Sequence, residues 1–151
     1  MPDHEQDCEV LDAEEAISGS GLPFTIVRAA QFHSLVLTMT QKLTALPVVP
    51  LPGLRLQPVD GREVAARLAE LTLGTPAGRV PDVVGPQVHT MGELIRGYLR
   101  ASGKRRPTLP VRLPGKAGRA YRDGANLTLR GATVGSRTWE AFLAEQVTAV
   151  R

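Results

Sequence analysis

Ser18-Gly-Ser-Gly-Leu-Pro-Phe24, SGSGLPF, holds Gly19 and Gly21 in a spacing that resembles part of a phosphate-cradling loop. Such a loop needs its glycines after a strand and before a helix, so that free backbone N–H groups at the helix start point at the anion. The flanks give the opposite order. Val10, Ala13, Glu14 and Ile17 fit a short helix that stops near Gly19, since glycine accepts the left-handed turn after a helix. Pro23 follows, and Phe24-Thr-Ile-Val-Arg28 is β-branched and strand-like. The glycines leave a helix and enter a strand, so SGSGLPF is a helix stop and connector.

Beyond Arg28 the period changes. Phe32, Leu35, Val36, Met39, Leu43 and Leu46 recur at offsets of three, four and seven, which predicts an amphipathic helix with that set inward. Pro47, Pro50 and Pro52 end it and stiffen an extended loop, and Leu54–Val59 suggests a short strand. Asp60 is a helix N-cap with Glu63 as its capping-box partner, and Val64, Leu68 and Leu71 form the inward face behind it. Arg79–Val84 is a further strand, with Pro81 arguing for an edge or end position. Thr90 and Glu93 repeat the capping box, and Met91, Leu94, Ile95, Tyr98 and Leu99 mark a core-facing helix closed by Gly103. Residues 104–135 are rich in Pro and Gly and weakly periodic. Trp139, Phe142, Leu143 and Val147 carry a last helix.

The 151 residues, 42% of them hydrophobic, suit a single domain over 1–151. Its start, 1–9, is acidic and expected to be flexible. No apolar run approaches the roughly 20 residues that cross a bilayer. The opening MPDHEQDCEV is the reverse of a signal peptide. A cytoplasmic protein with no membrane partner is the expectation. Cys8 is the only cysteine and His4, His33 and His89 lie far apart, so no metal site is expected.

A net charge of +3 hides a polarity. Residues 1–15 hold seven acids and no Lys or Arg, whereas Arg96 to Arg137 hold eleven basic side chains and one acid, Asp123. Such a stripe attracts an acidic partner or nucleic acid, or it is simply a solvated surface. With 4% aromatic residues, a platform for stacking bases is not expected.

The elements sum to an α/β fold in which a few parallel strands are covered by helices. Ser20-Gly-Leu-Pro-Phe-Thr-Ile-Val-Arg28, with Phe32 four residues on, resembles the segment before and along the sixth strand of atypical short-chain dehydrogenases/reductases, the NAD(P)H-binding, NmrA-like group. Gln57–Ala65 resembles that family's strand leading into a capped helix, and Gly78–Pro86 its last central strand. Thr90–Leu94, Leu109–Pro114 and Arg137–Glu140 resemble its C-terminal helical cap. The resemblance covers nearly the whole chain from about residue 10. It implies a partial Rossmann-like fold, the substrate-side half of a reductase.

The same resemblance places the Gly-rich dinucleotide loop and five strands ahead of this region. The family's Tyr-x-x-x-Lys pair, which relays a proton and anchors ribose, falls on Gln6 and Val10, which cannot do that chemistry. Its usual Pro after the strand's Arg is Ala29 here. The family binds NAD(P); for the isolated chain no cofactor is expected, no catalytic residue is assigned, and no catalysis by these residues alone is expected. A homodimer, or a separate chain supplying the other half, is the expected partner, with a small-molecule substrate.

By resemblance the loop after the strand lines the substrate end of the cleft. That nominates Gln31, Phe32 and His33, with Arg28 and Gln57 at strand ends, in keeping with ligand binding outside the carboxyl ends of parallel strands. Structural readings stand beside these: Phe32 in the core, His33 capping or solvating a helix start, Arg28 satisfying a carboxylate or carbonyls, and Gln57 a strand-end polar group. The alternative function is a non-enzymatic binding or regulatory module using the 96–137 stripe.

Overall fold

The structure is a computed structural model that describes residues 3–112, 114, 115, 119 and 131–149. The expected features of 113–130 otherwise lie outside the described residues. Helix α1 spans Asp3–Gly19, so it takes in most of the acidic start. The chain then turns at Gly21, whose φ of 74° only glycine adopts easily. Gly19 is the last helical residue, and Gly21 makes the left-handed turn.

Strand β1 (Thr25–Ile26) pairs in parallel with β4 (Gly78–Arg79). A parallel bridge, Ala29 to Val83, carries the ladder on to β5 (Val83–Val84), which pairs on its other side with β8 (Thr133–Val134). The run 78–84 is therefore the middle of a short three-stranded parallel arrangement. Pro81 is tolerated there because it falls between β4 and β5, where no ladder N–H is called for. Among the described strands β1 pairs only with β4.

The proline-rich stretch expected as a loop is a strand. β2 (Val49–Pro52) pairs in parallel with β7 (Thr108–Val111). Successive N–H groups of a strand point to opposite edges, so Pro50 and Pro52 leave the donors of Val49 and Leu51 free for one partner; Val49 N–H donates to Pro107 O at 2.9 Å. β3 (Arg55–Leu56) pairs antiparallel with β6 (His89–Thr90).

Helices α2 (His33–Thr44), α3 (Gly61–Leu73), α4 (Met91–Ala101) and α5 (Trp139–Ala149) complete the described elements. The main core gathers Val36, Val49, Leu51 and Leu56 with Met91, Leu94, Ile95, Tyr98 and Leu99 of α4 and Trp139, Phe142 and Leu143 of α5. The indole N–H of Trp139 donates to Leu94 O at 3.1 Å. Gly97 makes room for that indole, because a Cβ there would lie 3.3 Å from Trp139 Nε1. A smaller cluster, Val59, Val64 and Val83, sits under the strand ends. A Cβ on Gly85 would lie 1.7 Å from Pro58 O, so the close pass of these two strand ends requires glycine. No described helix is long and apolar enough to cross a membrane.

α4 follows its periodicity: all five expected core residues are buried. α2 does not. His33, Val36, Thr40 and Thr44 face inward, with Leu37 and Leu43 against the core, while Leu35 and Met39 are 51% and 42% exposed. The helix carries apolar residues on two sides, and the buried side is the one fixed by its entry from the sheet. Thr44 is tolerated inside because its hydroxyl donates to Thr40 O at 2.9 Å. On α3 only Val64 is buried, and Leu68 is exposed.

Candidate functional site

The carboxyl ends of three extended segments converge where β1 hands over to α2. His33 N–H donates to Val59 O and Val59 N–H to Gln31 O, both at 2.9 Å, closing a parallel bridge between Phe32 and Val59. Gln57, two residues before Val59, donates from its amide nitrogen to Gly85 O at 2.9 Å, just after β5. Gln31, Phe32, His33 and Gln57 are thus brought into one neighbourhood. Arg28 is directed elsewhere.

Within that neighbourhood the side chains divide. Phe32 occupies the N-cap position of α2 and is 40% exposed, outside the core. Gln31 is half-buried. His33 neither caps the helix nor meets solvent: it is 1% exposed, with its ring centroid 5.2 Å from Phe142 and 5.8 Å from Trp139. Neither of its nitrogens makes a hydrogen bond of ordinary distance and angle, and the amide oxygen of Gln57 is buried and unpartnered too. Burial pushes the His33 pKa below its ordinary 6.5, against the opposing pull of the Asp60 carboxylate, the Pro58 carbonyl and Glu63, with a small push the same way from His89. The imidazole is neutral at pH 7. It reaches a ligand only if α5 moves.

Arg28 grips Glu14 of α1 with a two-pronged ion pair, Nε to Oε1 at 2.8 Å and a terminal nitrogen to Oε2 at 2.7 Å. Arg79 of β4 closes on the same carboxylate. The hydrogen bond from Arg28 holds the Glu14 carboxyl below the usual range. This contact fixes α1 to the sheet. Arg28 therefore faces the strand's flank, with its guanidinium engaged.

The structure adds a polar cluster next to the site. Asp60 caps α3, accepting from Arg62 N–H at 2.8 Å and from the Arg62 guanidinium at 3.0 and 3.1 Å. Arg137 Nε lies 2.8 Å from Oδ2, the oxygen that also accepts from Arg62, an ion pair without hydrogen-bond geometry. The Arg62 hydrogen bonds hold the Asp60 pKa down at about 2. Arg62 and Arg137 both pair with Glu145 of α5. Glu63 does not return to the Asp60 backbone; its carboxylate accepts from Ser136 N–H at 2.7 Å and Ser136 Oγ at 2.9 Å. Asp60 thus caps the helix through Arg62 N–H, but the expected capping box with Glu63 does not form, because a segment 73 residues away supplies donors to Glu63. The Asp60 cap was a sequence signal. Its charge partner Arg137 stood in the basic stripe with nothing local to mark it.

The arrangement offers an apolar, partly amide-lined wall with no activated nucleophile. Among the described residues no three His, Cys, Asp or Glu side chains come together to hold a metal.

No protein-family model matches the sequence, and no curated protein does. Solved structures do. A nucleoside-diphosphate-sugar epimerase from Staphylococcus aureus superposes with a TM-score of 0.59 at 18% identity, over 87% of this chain and 56% of its own. A dTDP-glucose 4,6-dehydratase from Bacillus anthracis, in complex with NAD, gives 0.58 at 15%, over 91% and 48%. RMD from Pseudomonas aeruginosa, complexed with NADPH, gives 0.54 at 13%, over 93% and 52%. The likeness is one of fold, a Rossmann-like α/β arrangement, and the chain spans about half the length of these structures.

Proposed function

We propose that this chain is the substrate-side portion of an NAD(P)-binding, NmrA-like short-chain dehydrogenase/reductase, forming one wall of the substrate cleft without catalysing a reaction alone. The observation that carries this is the convergence of Gln31, Phe32 and Gln57 at the carboxyl ends of parallel segments, the place where open α/β sheets take ligands. Of the six described residues with buried, unpartnered side-chain polar atoms, two, His33 and Gln57, belong to the same place. Unsatisfied buried polar groups are costly and concentrate where a ligand or water completes them.

In this reading Phe32 and Gln31 meet a small carbonyl substrate, Gln57 supplies an amide behind them, and His33 sets how α5 covers the floor. NAD(P) is the cofactor of the whole assembly and is held by the other half, because the glycines of SGSGLPF leave a helix and enter a strand, the wrong order for a phosphate loop. That half packs on the open side of β1 and the exposed apolar residues Val10, Leu11, Leu35 and Met39, as a second copy or a separate chain.

The test has two arms. Titration of NADPH into the chain should give no micromolar binding. Ligand-observed NMR with small carbonyl compounds should show binding that Gln31→Ala/Phe32→Ala abolishes and Arg105→Glu/Arg106→Glu leaves intact. Micromolar NADPH binding by this chain, or loss of the carbonyl signal only in the arginine variant, overturns the reading.

A further inference from the structure

We propose a second binding site, separate from the strand-end cleft: the hollow between the middle of α2, the end of α4 and the end of α5 takes a small organic anion, an apolar body with one carboxylate or phosphate head. The hollow has a volume of about 590 Å³, in the ~300–1,000 Å³ range of ligand clefts. Leu37, Tyr98, Leu143 and Val147 make its apolar part, and Arg100 and Lys104 its charged part.

This corner gathers a run of cations, whereas several described arginines elsewhere are paired. Arg28, Arg62, Arg67, Arg79 and Arg137 each face a carboxylate. Between positions 96 and 106 stand Arg96, Arg100, Lys104, Arg105 and Arg106, and none has a carboxylate partner among the described residues. A second hollow of about 500 Å³ adjoins the first and shares Arg100 and Lys104, with Arg96 and Arg105 added. Glu140 lines a third hollow with Arg100 but forms no ion pair with it.

Local structure fixes the cations. α4 ends in a Schellman closure: Gly103 takes a φ of 66°, its N–H donates to Arg100 O at 3.2 Å, and Lys104 N–H donates to Leu99 O at 3.0 Å. That turn sets Lys104 Nζ 5.7 Å from the centre of the Tyr98 ring, a cation–π contact. An anionic head between Arg100 and Lys104 leaves its apolar body against the half-buried Leu37 and Val147, above the largely covered Tyr98 and Leu143. Binding of that kind relieves the mutual repulsion of the cations and removes apolar wall from water. A nucleic acid fits less well, because Tyr98 is the only aromatic of the lining and is itself buried, leaving no face for stacking bases.

Octanoate and octyl phosphate are the probes, with octanol and inorganic phosphate as the halves of each. At least one of the amphiphiles should bind tenfold or more tightly than either half, with NMR shift changes centred on Leu37, Tyr98 and Val147. Arg100→Ala/Lys104→Ala should weaken it at least tenfold, and Arg67→Ala should not; Arg100 and Lys104 are exposed and Arg67 is half-buried, and a thermal melt confirms that each variant folds. Octanol binding as tightly as the amphiphiles, shifts centred elsewhere, or a single-stranded oligonucleotide that outcompetes them with steep salt dependence would each overturn the proposal.

Discussion

The corner built from α2, α4 and α5 and the flank built from α1, β1 and β4 are held together by different physics. The corner buries Trp139, Phe142, Leu143 and five side chains of α4 in one apolar cluster. In the flank a short parallel ladder joins β1 to β4 and the Glu14 carboxylate, gripped by Arg28 and Arg79, ties α1 to it, while Val10, Leu11, Ile17 and Leu22 stay at the surface. Apolar burial is cooperative and does not depend on salt. A half-exposed ion pair is weak and screened. The corner is the part that folds for its own sake; the flank has the makeup of a surface that gains from being covered.

The largest effect should come from Trp139→Ala. Removing a fully buried indole should cost about 3–5 kcal/mol, read by urea denaturation, and should loosen α5 and α2 together. An effect under about 1 kcal/mol would mean the corner is not the core.

Acid should act next, through the polar cluster that pins α5 to α3. Asp60 is held at about 2 in the fold against an ordinary value of 3.8. Its contribution is complete above about pH 4 and is lost as pH falls toward about 2, and a shift of that size corresponds to about 2 kcal/mol. His33 is displaced downward as well, by burial. The unfolded chain therefore takes its proton first, and stability declines as pH drops below about 6.5 until the folded ring also titrates. Melting curves across pH should show two descents. Asp60→Asn should remove the lower one and His33→Phe the upper; a single descent unchanged by either substitution would dismiss this account.

The smallest global effect belongs to the flank. Glu14→Gln should leave the main unfolding transition nearly in place while hydrogen exchange in α1 rises, and added salt should mimic it in the unsubstituted chain. A fall in global stability as large as that of Trp139→Ala would erase the contrast between the two regions.

Much of this fold can be read along the chain where the signal is local. The capping box at Thr90 and Glu93 and the five-residue face of α4 formed as their spacing implied, because both are satisfied within one or two turns. The order helix–strand–helix around Gly21 and β1 held for the same reason. The site is less legible. Gln31, Phe32, His33 and Gln57 do gather, yet which of them faces solvent depends on α5, more than a hundred residues away from His33 in the chain.

The amino-acid sequence by itself determined the main helices, the Thr90 cap and the helix-to-strand order around Gly19 and Gly21, since each is a property of neighbours in the chain. Only the tertiary structure decided which apolar side of α2 is buried, that the prolines of β2 sit in a strand, and that Arg137 serves Asp60 while the arginines near Arg100 meet no carboxylate among the described residues. Those outcomes rest on contacts between distant segments, where the same periodicity or charge allows several partners and packing selects one.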